Sequence, residues 1–231
     1  MSDEHTDRAN RINAVTQAPV ATEQRVAARE MTDELRRLME SVVATQADPE
    51  AMRAATAQLR EIADVIGAYP RGRVYDFSES SVAGDPGAFF DNSPVAGLAN
   101  PLAPPLRMHA EDDRIIGEVR WGSAYEGAPG CVHGGYVLAA FDEVLGLAQD
   151  LGGQPGMTGT LTTKFRRPTP LHTDLRFVAR IDRIEGRKTF TVGELYDPEG
   201  NLLAEADAVF ITVDMGKLKK LADDREKQRP R

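Results

Sequence analysis

Apolar residues in the first third of the chain repeat with a helical period. Met31, Leu35, Leu38 and Val42 are spaced four, three and four apart, and Met52, Ala55, Leu59, Ile62 and Ile66 form a second stripe. Both match one face of an amphipathic helix. The first helix is expected from Thr22 to about Gln46. The second opens at Asp48-Pro49-Glu50, with Asp48 as N-cap and Pro49 at the first helical position. Two such helices with a short joint predict a helical hairpin over 21–69, whose stripe has to be buried on something. Residues 1–20 are polar and aperiodic, and the expectation for them is disorder. From Pro70 the text turns to Gly, Pro, Ser and Asp with scattered aromatics, which predicts a linker over 70–95.

The period then changes to two. Arg114 to Trp121 alternates with Ile115, Val119 and Trp121 on one face, and strand-like runs follow at Met157–Arg166, Leu175–Ile184, Thr189–Tyr196 and Leu202–Val213. Leu175, Phe177, Ala179 and Ile181 face one way. Ala204, Ala206, Ala208 and Phe210 make a face of mostly small residues. Glu185-Gly186-Arg187-Lys188 and Asp197-Pro198-Glu199-Gly200 read as hairpin turns. Between the first strand and the others lies a long helix framed by glycines, Gly130 to Gly153. One apolar helix on an antiparallel sheet is an α+β domain, expected over 96–214, with a charged tail over 215–231.

That helix carries two stripes. Val137, Phe141, Val144 and Ala148 can pack on the sheet, while Gly135, Ala139, Asp142 and Gly146 set a carboxylate among small residues. A carboxylate there is poorly solvated unless something polar meets it. The helix opens with Gly134-Gly135, whose amides have no intrahelical partner and sit at the positive end of the helix dipole. They are candidate donors to an oxyanion. Gly135 and Asp142 are seven residues apart, roughly 10 Å along the axis, too far to serve one reacting carbonyl. Two antiparallel copies of the helix would bring Gly135 of one chain to Asp142 of the other, so a working site requires at least a dimer. Glu143 points about 100° away around the helix and is the poorer carboxylate.

Composition narrows the function. The chain has 231 residues, 41% hydrophobic and 28% charged, with a formal net charge of −8. An acidic protein of this kind is a poor binder of nucleic acid, and an anionic ligand would have to be met by a local basic cluster. Arg166, Arg167, Arg187 and Lys188 are the candidates, Arg being suited to bidentate phosphate contacts. No apolar run reaches membrane-span length. The N-terminus lacks the pattern of a secretory signal, and Cys131, the single cysteine, excludes an intrachain disulfide. The expected compartment is the cytoplasm. His109 and His172 have no partners at metal-ligand spacing. Cys131 precedes a helix N-terminus that could activate it, but a lone cysteine is more often a small buried hydrophobe.

Four motifs in order carry a resemblance: His133-Gly134-Gly135 with Asp142 and Gly146; Gly152-Gly153 with Met157-Thr158; Lys164 to Leu171; and Glu185 to Lys188. Over roughly residues 97–214 the chain resembles the PaaI-type hotdog thioesterases, more closely the branch of the thioesterase superfamily acting on fatty acyl-CoA. The resemblance implies a hotdog fold, a curved antiparallel sheet wrapped around the long helix. It places Asp142 at the catalytic carboxylate position and Thr158 at its partner position, with His133, Gly134 and Gly135 on the oxyanion side. It implies the basic residues near bound CoA, no metal or cofactor, and a homodimer or dimer of dimers. Cys131 departs from the pattern, and residues 1–95 lie outside it. Two other readings stand beside hydrolysis. One is a hotdog enoyl-thioester hydratase, whose differently spaced Asp/His or His/Glu pair is not found. The other is a non-catalytic acyl-CoA-binding or interaction protein.

Overall fold

The computed structural model of the chain describes residues 3–16, 22–69, 91–104, 106–213 and 216. Three helices come first: α1 (Asp3–Thr16), α2 (Glu23–Ala44) and α3 (Pro49–Gly67). Strands β1 (Arg107–Glu111) and β2 (Arg114–Val119) follow, then α4 (Gly134–Asp150) and β3 (Gly156–Phe165), β4 (Leu175–Glu185), β5 (Lys188–Tyr196) and β6 (Leu202–Thr212). The sheet order is β1-β2-β4-β5-β6-β3, antiparallel at every pairing. This is the hotdog arrangement that the motifs imply.

Small residues let the sheet hold α4 closely. Val137, Phe141, Val144 and Ala148 are fully buried against it. A Cβ on Gly117 of β2 would come within 2.7 Å of Val144 Cγ1, so a glycine is required where strand and helix approach. Ala204, Ala206 and Ala208 of β6 are buried on the same face, as the alternation predicts. Phe141 meets Phe177 edge-on at 4.9 Å between centroids, and Trp121 meets it at 6.1 Å. The Glu185–Lys188 turn places Gly186 at φ 57 and the Asp197–Gly200 turn places Gly200 at φ 82, conformations that favour glycine.

Three expectations need correction. Residues 3–16 are helical, whereas their polarity suggested disorder. Ala9 and Ile12 reach the core, and Asn13 bonds both backbone groups of Ala110 in β1, accepting from its N–H at 2.7 Å and donating to its carbonyl at 2.9 Å. Arg8 donates to the Leu151 carbonyl just past α4. Two apolar side chains are too few to show a period, yet tertiary contacts suffice to fix the helix. Next, α3 starts where its Asp48 cap predicts and α2 begins just after Thr22, the two caps accepting from Ala51 and Arg25. They do not close into a hairpin that buries the stripe. No residue of α3 is buried, and Met52, Leu59, Ile62 and Ile66 remain exposed. Finally, β1 was not anticipated, because it has only five residues before the tight turn at Asp112-Asp113. Most of the linker expected over 70–95, and all but residue 216 of the charged tail expected over 215–231, lie outside the described residues.

α2 docks by polar contacts. Arg25 and Arg29 donate to the buried Asp91 at 2.7 Å and 2.6 Å. Arg36 donates to the carbonyls of Gly97, Asn100 and Ala103. Glu40 accepts from the amides of Ser123 and Ala124 at 2.7 Å and 3.1 Å. Burial alone pushes the Glu40 carboxyl up, but those two amides, with the Ser123 hydroxyl and the charge of His172, together hold it below its ordinary value.

Candidate active site

The loop before α4 is tied down at several points. His133 N–H donates to the Tyr125 carbonyl at 2.9 Å and Val132 N–H to the Thr169 carbonyl at 2.8 Å. Gly127 sits so close that a Cβ there would lie 2.7 Å from His133 Cα. Tyr125 is buried, which pushes its hydroxyl up to about 12, and it packs edge-on against Tyr136 of the first helical turn at 4.8 Å. His133 is thereby fixed as the N-cap of α4.

Its ring makes the cap. His133 Nδ1 accepts the Gly135 N–H at 3.0 Å. An accepting Nδ1 has its lone pair free, so the neutral ring carries its proton on Nε2. The expectation of two glycine amides as oxyanion donors therefore changes. Gly135 N–H is occupied, and Gly134 N–H has no acceptor among the described residues. The Phe165 ring lies over Gly134, its Cζ 3.2 Å from where a Cβ would stand.

Asp142 is exposed on the small-residue stripe, with Gly135 and the half-buried Ala139 and Gly146. Thr158 Oγ1 donates to Asp142 Oδ1 at 2.8 Å. The structure thus brings together Asp142 and Thr158, sixteen residues apart, in a single chain. Glu143, on the next position, turns towards the 91–97 segment, where Ser93 Oγ donates to its carboxylate at 2.8 Å. Burial pushes the Glu143 carboxyl above its ordinary value, the Ser93 bond opposes this, and the charge of Asp142 adds to it.

The basic residues do not form one cluster within the chain. The amides of Arg166 and Arg167 donate to the Leu203 carbonyl at the start of β6. The Arg187 side chain donates to the Thr212 carbonyl at its end, beside Lys188, which pairs with Ile211. Nine residues of strand separate these ends, about 30 Å. The sequence set them together through motif order, which does not report strand direction. Arg166 is also bonded to Glu205, holding that carboxyl below its ordinary value. Arg167 donates to Asn201 at 3.0 Å.

Cys131 is half-buried, with its thiol directed to the Pro129 carbonyl. His109 faces Glu111, and His172 faces Ser123. Among the described residues no group of His, Cys, Asp and Glu is gathered that could hold a metal ion, and no helix is long and apolar enough to cross a membrane. Ser93 and Phe165 were not singled out from the sequence. Ser93 lies in a Pro- and Gly-rich stretch that reads as loop, and Phe165 reads as one more strand residue.

Residues 129–204 match the family model described as the thioesterase superfamily. The acyl-coenzyme A thioesterase THEM4 of Bos taurus is 32% identical over 105 residues, 45% of this chain and 43% of that protein. Its Xenopus laevis counterpart is 33% identical over 91 residues, 39% and 41% of the two chains. These matches span less than half the length of the curated relatives. A crystal structure of a thioesterase superfamily protein is similar at a TM-score of 0.69 and 28% identity, over 84% of this chain and 92% of that one.

Proposed function

We propose that this hotdog protein, whose residues 129–204 carry a thioesterase superfamily domain, hydrolyses fatty acyl-CoA at a site shared by two copies of the chain. The observation that carries the reading is the Thr158–Asp142 hydrogen bond on an exposed small-residue face. A carboxylate held there by a hydroxyl can take a proton from water or attack a carbonyl itself.

The sheet supports sharing. β1 has its outer edge met by Asn13, whereas β3, at the other end, is long and carries a single charge, Lys164. Such an edge is a template for another strand. Antiparallel pairing of two β3 strands about a centre between Leu161 and Thr162 sets Thr158 beside the partner's Phe165. Asp142 follows Thr158, and the Gly134 amide follows Phe165. The two halves of the reaction then meet across the dimer.

In this reading the thioester carbonyl oxygen is held by the Gly134 N–H, with His133 Nε2–H beside it. Asp142 of the other chain, oriented by Thr158, delivers water to the carbonyl carbon or forms a mixed anhydride that water opens. The carbon–sulfur bond breaks, CoA leaves as thiolate and takes a proton, and the free acid remains. The same pairing brings Arg166 and Arg167 of one chain to the end of the sheet that carries Arg187 and Lys188 of the other, so a divided basic set can serve one CoA. The acidic chain with one cysteine fits a cytoplasmic enzyme.

The test is CoA release from acyl-CoAs of increasing chain length. Asp142→Asn should lower the rate at least about 10²-fold with the fold intact. Absence of release from every acyl-CoA would overturn the reading.

A further inference from the structure

α3 is a capped helix that buries nothing among the described residues. Asp48 closes its N-terminus, and every position from Pro49 to Gly67 is exposed. Met52, Leu59, Ile62 and Ile66 on its stripe are between 38% and 57% exposed, and Tyr69 just past its end is 68% exposed. A helix of this length draws most of its stability from packing an apolar face. Here that face is open to solvent.

The spacing says what kind of surface fits. Met52, Ala55, Leu59, Ile62, Ile66 and Tyr69 follow one another at three, four, three, four and three. This is an unbroken heptad seam with Met52 at position a and Ala55 at d, the narrow stripe that a second helix covers. All five charged residues of α3, Glu50, Arg53, Arg60, Glu61 and Asp64, fall on the outward positions b, c and f. The borders of the seam are uncharged, with Ala51, Gln58 and Val65 at g and Pro49, Thr56 and Ala63 at e. Charges at e and g are what choose or reject a coiled-coil partner. With none there, nothing repels an identical helix.

Direction follows from size. In a parallel pair Ala55 would meet its own copy and leave a gap. Run antiparallel, with Leu59 against the partner's Ile62, Ala55 meets the partner's Ile66 and Met52 meets the partner's Tyr69. Val65 adds a sixth large side chain at the border, itself 61% exposed. Covering all six on both chains buries on the order of 1,000 Å2, the size at which a specific contact begins. We propose that α3 is a self-association arm, pairing antiparallel with α3 of a second copy of this chain as a two-stranded coiled coil.

The two-fold symmetry allows the test to be written within one chain. Leu59→Glu should open the seam, and so should Ile62→Lys. Since each Leu59 faces the partner's Ile62, the double variant Leu59→Glu/Ile62→Lys sets opposite charges against each other at both contacts and should restore pairing. Both positions are exposed in the single chain, so these changes spare its fold. Backbone amide exchange over residues 52–66 of the full-length protein reads the pairing independently of β3. It should be at least about tenfold slower in wild type and in the double variant than in either single variant. In a Cys131→Ser background, chains carrying Leu59→Cys co-expressed with chains carrying Ile62→Cys should oxidise mainly to the mixed disulfide. Chains carrying Ala57→Cys, at the outward position f, should not cross-link. Equal exchange in all four proteins, protection that the double variant fails to restore, or a mixed disulfide no more abundant than random pairing gives would each overturn the proposal.

Discussion

Two inactive variants should restore each other if the site is shared. Asp142 and Gly134 are eight residues apart on α4, about 12 Å along the axis, so one chain cannot offer both to one carbonyl. Asp142→Asn removes the carboxylate function. Gly134→Val places branches over the free amide where the Phe165 ring now lies, at a position whose backbone suits any residue. Each homodimer then carries two dead sites. In a mixed dimer both defects fall in one site, and the other keeps Asp142 from one chain and Gly134 from its partner. With random pairing half the dimers are mixed and each has one good site of two, which predicts about a quarter of wild-type activity per chain. The assay is CoA release after co-expression with two different affinity tags, with mixed dimers isolated by sequential capture. Isolated mixed dimers should show about half of wild-type activity. Parental background in those dimers would refute the shared site, and Asp142 and Gly134 would then belong to separate functions.

Loss of charge at Arg166, Arg187 and Lys188 should raise KM for acyl-CoA several-fold and spare an acyl-pantetheine lacking the nucleotide; equal damage to both substrates would assign these residues to the fold. Cys131→Ser should leave hydrolysis within about twofold of wild type, since the thiol faces a carbonyl of its own loop; complete loss with intact folding would restore a cysteine nucleophile. Glu40→Gln should cost about 1 kcal/mol at pH 7. Because its folded value is lowered, the advantage of the carboxylate is present above its unfolded value and disappears as pH falls through the folded one. Denaturation curves of the two proteins should therefore converge once pH falls well below the ordinary glutamate range.

The sequence makes visible what depends on local period and spacing. The Leu175–Ile181 alternation, the buried face of α4, the cap of α3 and the glycine turns were all legible, because each is decided by neighbours a few residues away. The bond between Thr158 and Asp142 was within reach only through motif order, since nothing in a Thr-rich strand says which hydroxyl meets the helix. Strand direction was the missing fact for Arg166 and Arg187, which motif order put together and β6 holds apart. α1 was hidden because its attachment depends on Asn13 and Arg8 meeting backbone groups 97 and 143 residues away, and such contacts have no period. Ser93 was hidden for the same reason, its partner lying fifty residues on.

The attachment of Asn13 to Ala110 has a consequence for how large the assembly can grow. A sheet open at one side pairs once and stops, so its mating surface is saturated in a dimer. A sheet open at both sides has no closing number, and each added chain exposes a fresh rim. α1 is then a chain terminator in the polymer sense, occupying the β1 rim with a side-chain amide that imitates a neighbouring strand. If the chain pairs through β3 as proposed, removing residues 3–16 should turn a dimer of fixed size into a ladder of species that lengthens with protein concentration. Fibrillar growth of this kind would begin from a fully folded protein.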